Sequence, residues 1–354
     1  MHVFRALVAA AVIAAAAIPS GHAQSNPLLY VCVQDDAKVA VVDMARAEVV
    51  RTIDLTTLGF PATAKPHFIV VEPDGAHWYV SLIGANKVVK FDRQDRVVGH
   101  FEMETPGMLS LADRGRLVVS RSMSAVNPPK RVAILDRAAM TGDEIDILFP
   151  RPHPVAVAGG YAYTASLGVN QLASISLETQ KVELVNVPGP AHGFVQFAVS
   201  PDGAVLVAST EVSGRLMVFD LKQPARPALV ADIEVGKMAF DPVFTPDGRF
   251  VWVPVKMTNE IAVVNVSSRR VEFRIQNDAF RQPHQIVFAP DGRTAFVTNN
   301  NKMDHMTDPA HAGHAMPGGG DGIAPLVVVD VATRNVVKSL PLGKNLTGMG
   351  TRAR

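Results

Sequence analysis

Three histidines stand in the same short context: Lys65-Pro66-His67, Arg151-Pro152-His153 and Gln282-Pro283-His284, each opening an apolar, β-patterned run. His192, in PAHGFVQF, enters a comparable run a few residues early and is read as an auxiliary, loop-borne member. A neutral imidazole offers one nitrogen lone pair, so imidazoles converging on one point suit a late first-row metal or a haem iron. The plainer alternative is a histidine that only hydrogen-bonds the neighbouring backbone. A second concentration of donors lies in NNNKMDHMTDPAHAGHAMPGGGDGIAP, which carries Met303, His305, Met306, His311, His314 and Met316, with Asp304 and Asp308 between them. Gly and Pro are frequent there and nothing in it can form a core, so it reads as a long surface loop. Thioether sulfur favours Cu(I) and imidazole suits copper generally, so mixed His and Met without Cys points to copper. These six residues are expected to capture or deliver the ion. The competing reading is a loop of biased composition and no function.

The elements that must position these residues repeat along the chain. Short apolar runs end at Cys32 (LLYVC), Ser81, Ser120, Ala165, Ala208, Pro254 and Thr298, about 39 to 49 residues apart, a spacing typical of stacked four-stranded units. A third run follows each time, closing at Asp43, Asp92, Asp136, Ser176, Asp220, Asn265 and Asp330, and then a fourth such as EVVRTIDL or RVEFRIQ. Val, Ile, Phe and Thr dominate these runs, which is how strands are written. Pro-Asp-Gly recurs from Pro73, Pro201, Pro246 and Pro290, where a tight turn would join first to second strand. The terminal aspartates read as turn formers. The first unit lacks its first strand, and the tail GKNLTGMG can supply it, closing a ring and protecting its edges.

The unit exemplified by PHQIVFAPDGRTAFVTNN…LVVVDVATRNVV resembles the YVTN-type repeat of bacterial seven-bladed β-propellers. Similar propellers include the haem d1-binding domain of cytochrome cd1 nitrite reductase and, in architecture, that of nitrous oxide reductase. The resemblance covers nearly all of 28–350. It implies an all-β, seven-bladed β-propeller closed by pairing of the N- and C-terminal strands, with each first strand lining a central channel. In such a fold His67, His153 and His284 occupy one structural position and ring the channel mouth. Gly107 fills the slot in the third unit, Phe240 or Asp241 in the sixth, and the closing tail offers Met349. Loops between second and third strands open on that same face, so the His/Met insertion at about 300–325 is expected to hang over the ring. The resemblance also leaves a haem d1-type role, in reduction or cofactor maturation, as an alternative to copper handling or redox support. A non-catalytic scaffold for a protein partner is a third.

Residues 1–23 have a short basic start, the run ALVAAAVIAAAAI and Gly21-His22-Ala23, the pattern of a secretory signal peptide cleaved after Ala23. That apolar run is too short for a membrane span, and no later run is long enough. The expectation is therefore a periplasmic chain with one propeller domain at 24–354, acting as a monomer and meeting a metal ion or a periplasmic redox or metalloprotein partner. A net charge of +1 shows no basic excess for nucleic acid. Cys32 is the only cysteine, which rules out an intrachain disulfide or a paired-cysteine haem attachment and reads as a buried thiol. No G-x-S-x-G elbow, P-loop or dinucleotide fingerprint occurs. Export and the absence of an evident acidic metal cluster count against the sugar-lactonase chemistry of some related propellers.

Overall fold

The computed structural model describes residues 26–122, 127–302 and 322–352. Every described strand belongs to one of seven four-stranded antiparallel sheets. We number these blades from the N-terminus. Blade 1 is completed by the closing strand Leu346–Arg352, which pairs antiparallel with Leu28–Val33, followed by Lys38–Asp43 and Glu48–Asp54. The tail thus supplies the missing first strand, as the repeat count requires. The inner strands of blades 2 to 7 are Pro66–Val71, Pro106–Ala112, Pro152–Ala158, Phe194–Val199, Val243–Phe244 and Pro283–Phe288. Neighbouring inner strands lie against one another and form the wall of the central channel.

Burial follows from this stacking. The two middle strands of each blade are covered on both faces, so they are almost continuously buried, as in Leu28–Val33 and Thr294–Asn299. Outer strands alternate, as in Arg270–Gln276, because one of their faces meets water. The core is accordingly a set of interfaces between blades. Val31, Ala40 and Val42 pack with Phe296, Leu326 and Val328 on one side of blade 1. Tyr30, Val39 and Val41 pack with Trp78, Val80 and Phe91 on the other.

The turn chemistry matches the sequence. In each Pro-Asp-Gly turn the glycine has positive φ, and the aspartate Oδ1 accepts a backbone N–H two residues on, as for Asp74 with Ala76 at 2.9 Å and Asp291 with Arg293 at 3.0 Å. The third-strand aspartates also work as turn formers: Asp43 Oδ1 accepts from Ala45 and Arg46, and Asp330 Oδ1 accepts from Thr333.

One irregularity recurs and matters for function. Almost every inner strand carries a β-bulge near its start: between Pro66 and Phe68, Pro106 and Leu109, Pro152 and Val155, Phe194 and Gln196, and Pro283 and Ile286. The extra residue breaks the pleat and turns its side chain out of the ladder. In several blades a hydroxyl from the second strand takes up the N–H that the bulge leaves unpaired. Ser81 Oγ accepts from Phe68 at 3.1 Å, Ser120 Oγ from Met108 at 2.9 Å, and Thr298 Oγ1 from Gln285 at 3.1 Å. Thr298 also donates to the Thr347 carbonyl of the closing strand at 2.9 Å. Thr298→Val keeps the shape and removes both bonds, so urea unfolding is expected to show a loss of about 1–3 kcal/mol. An unchanged midpoint would show that the hydroxyl does not hold the bulge.

Candidate functional site

The bulges set a register around the channel. Each inner strand is preceded by a residue with positive φ: Lys65, Thr105, Arg151, Gly193, Met238, Gln282 and Asn345. Two residues further on stand His67, Gly107, His153, Val195, Phe240, His284 and Thr347. Val195 and Thr347, rather than His192 and Met349, therefore fill the slots of blades 5 and 1. Met349 lies two residues deeper, buried against Phe296 and Leu326 in the contact between blades 1 and 7. In the sixth unit the slot goes to Phe240 rather than Asp241. Gly107 is explained by space: a Cβ there would fall 2.6 Å from the backbone of Arg121.

His67, His153 and His284 come from blades 2, 4 and 7, which are not neighbours in the ring. Their imidazoles nevertheless approach each other, with ring centroids 6.4 Å apart for His67 and His153 and 6.5 Å for His67 and His284. Side chains of non-adjacent blades can meet this closely only near the axis. His153 and His284 are buried, and although His67 is partly exposed, its Nε2 is not. Nδ1 of His67 hydrogen-bonds Gln34 Oε1 at 2.9 Å, and Nδ1 of His153 donates to the Val195 carbonyl of the next blade at 2.7 Å. Each bond directs the proton to Nδ1 and leaves the lone pair on Nε2, an arrangement common among metal-ligating histidines. Nε2 of His67 and Nδ1 of His284 are buried without a hydrogen-bond partner among the described residues.

Burial keeps the rings uncharged. Desolvation, reinforced by His153 and the cations Lys256 and Lys302, pushes His67 down to about 3. Desolvation likewise lowers His153, partly opposed by its Val195 bond, and drives His284 well below the ordinary histidine range.

Several partners of the cluster carry no sequence motif. Lys256 is buried in the turn between second and third strands of blade 6, its Nζ 3.2 Å from the Phe240 ring centroid and 2.5 Å from Asn300 Oδ1. Desolvation lowers its ammonium well below the usual range, with Asp241 acting the other way. Its position just after the apolar run FVWVPV, in the loop class that opens on the mouth, was the available signal. Asn300 in turn donates to Asn345 Oδ1 and the Leu346 carbonyl, both at 2.9 Å. Beyond Lys302, Met303, His305, Met306, His311, His314 and Met316 lie outside the described residues. Both roots of that segment are fixed: Lys302 N–H donates to Gln282 Oε1 at 3.1 Å, and Asn301 Nδ2 donates to the Ile323 carbonyl at 2.5 Å. Lys302 acts electrostatically on His67 and His284, so the insertion departs from the edge of the cluster. His192 stays in the loop before its slot, with Nδ1 2.9 Å from Ser213 Oγ and Nε2 2.9 Å from the Pro188 carbonyl. Both of its nitrogens are thus engaged.

The donor chemistry fits a transition metal, and the spacing sets a condition on it. Two imidazoles bound tetrahedrally at about 2.0–2.1 Å place their ring centroids about 5 Å apart. The rings must therefore close by roughly 1 Å to share an ion. Among the described residues no group of three or more His, Cys, Asp or Glu stands ready to hold a metal ion.

No protein-family model matches the chain, and no curated protein matches its sequence. Solved structures do. Dihydro-heme d1 dehydrogenase NirN in complex with DHE is 16% identical with a TM-score of 0.62, covering 95% of this chain and 77% of its own. The periplasmic gluconolactonase PpgL of Pseudomonas aeruginosa is 18% identical with a TM-score of 0.70, covering 93% and 99%. Apo AztD from Citrobacter koseri is 11% identical with a TM-score of 0.62, covering 92% and 97%. The chain is a seven-bladed β-propeller. At such identities the likeness is one of fold, and function has to be argued from the site. No helix among the described residues is long and apolar enough to cross a membrane.

Proposed function

We propose that this propeller is an exported protein that binds a transition metal, copper above others, at the channel mouth, for metal handling or redox support. The observation that carries it is the convergence of three neutral imidazoles from three separate blades at the edge from which the His/Met segment departs. His67, His153 and His284 would supply nitrogen donors, the first two through Nε2. His192 contributes to the loop around the ring. Met303, His305, Met306, His311, His314 and Met316 would give the soft donors that favour Cu(I) and so load or complete the site. To share an ion the imidazoles would have to close by roughly 1 Å while His67 and His153 keep their Nδ1 bonds.

The test is the visible spectrum and elemental analysis of protein purified from the periplasm. Copper at about one equivalent without a Soret band is the expected result. A Soret band would assign the axis to a haem d1-type group instead, and neither signal would leave a scaffold. Replacing the six loop His and Met residues by Ser and Leu is expected to reduce copper uptake at least about tenfold, with unfolding unchanged. Equal uptake would remove the loop from the mechanism.

A further inference from the structure

A cavity of about 340 Å³ lies along the channel one step beyond the histidine ring, walled by inner strands of blades 2, 5, 6 and 7. That volume is within the range of small-molecule sites. Its walls are mainly apolar and include the aromatic residues Phe68, Phe197, Phe244 and Phe288. Three polar residues interrupt them. Gln196 Oε1 accepts from the Phe197 N–H at 2.9 Å, and Gln285 Oε1 accepts from the Met349 N–H. With their oxygens engaged, both amides keep NH2 donors that have no protein partner among the described residues. The third is Asp241, 2% exposed, whose two carboxylate oxygens are buried and have no hydrogen-bond partner among the described residues. Lys256 acts on it electrostatically.

A buried carboxylate without a partner is costly, and a repeat that needed only packing would place an apolar residue there. Aromatic walls attract organic cations through their faces, and a carboxylate supplies the counter-charge. We propose that this axial cavity binds a small organic ammonium ion with an apolar body, with Asp241 as its counter-ion and the amides of Gln196 and Gln285 serving a hydroxyl or carbonyl on the same molecule. The cavity adjoins the metal site, since the Asp241 N–H donates to the His284 carbonyl at 3.3 Å, but it uses none of the proposed metal ligands.

The probe is 2-phenylethylamine, compared with the uncharged 2-phenylethanol, titrated calorimetrically into the full chain. Saturable binding of the amine, at least about tenfold tighter than the alcohol, is expected for a charge-paired contact. Asp241→Asn should remove that preference while binding the alcohol as before. Because Asn removes an uncompensated carboxylate, that variant should unfold at an equal or higher urea concentration, which verifies its fold. Failure of the amine to bind, or equal binding by D241N, would each overturn the assignment. None of these outcomes bears on copper at the mouth, so the two proposals fail separately.

Discussion

Alanine at both His67 and His284 is expected to weaken copper binding by more than about 100-fold, since even a lost outer partner of a metal-bound histidine costs 10–100-fold. These two rings carry the nitrogens that have no hydrogen-bond partner among the described residues, His67 Nε2 and His284 Nδ1. Removing both leaves His153 alone on the axis. Competition against a chelator of known affinity reads the effect. Gln34→Ala gives a graded companion, because Gln34 Oε1 fixes the proton of His67 on Nδ1. Its expected cost is about tenfold. His192→Ala is the control: both of its nitrogens are already engaged by Ser213 and Pro188, so affinity should hold while stability falls. If the double variant binds copper as tightly as the parent, the channel mouth is not the site.

Acid is expected to destabilise the fold steeply between about pH 6.5 and 4.5, through the same imidazoles. His67 titrates near 3 when folded and near 6.5 when unfolded, so in this window the unfolded chain holds the extra proton and stability falls as pH falls. Each such group contributes about 1.4 kcal/mol per pH unit, and His153 and His284 are shifted in the same direction. Asp241 has the opposite sign. Raised to about 7 by burial, it holds a proton in the folded state that the unfolded chain releases above the ordinary carboxylate range, so its contribution is lost as pH rises. One histidine slope is thereby cancelled, leaving about 3 kcal/mol per pH unit at most. Carboxylates held down in turns, such as Asp92 through its Arg96 bonds, act only at more acid pH. In H67Q/H153Q/H284Q the slope should reverse, because Asp241 then dominates. Urea midpoints at the two ends of the window decide it; a parent protein indifferent to pH there would mean the rings are not held neutral by burial.

The ring architecture was legible because each repeat writes its own strands and turns. Ser81, Ser120 and Thr298, which mark the repeat in the sequence, sit where the bulges need a second-strand hydroxyl. Sequence could also place His67, His153 and His284 together, since Pro fixes the strand start that precedes them. The slots without that Pro are less sharply defined in the sequence: Met349 is the expectation for blade 1, and blade 6 stays between Phe240 and Asp241. In blades 1 and 5 the register follows from positive φ at Asn345 and Gly193, a backbone property that composition does not display. Lys256 and Asp241 were harder still. Their environment is assembled from distant blades, and a charged residue in a short run carries no mark of being buried.

The regular spacing from left-handed residue to axial side chain has a consequence for how such channels diversify. Backbone conformation and side-chain identity are separated there: the bulge presents whatever residue occupies its tip, while the ladder around it stays the same. Imidazole at Val195 or Thr347 would enlarge the donor set without redrawing a blade, whereas the third blade is closed to any side chain at Gly107 by the Arg121 backbone. The rotor therefore offers a small alphabet of exchangeable positions, and the chemistry of its hub can change one letter at a time.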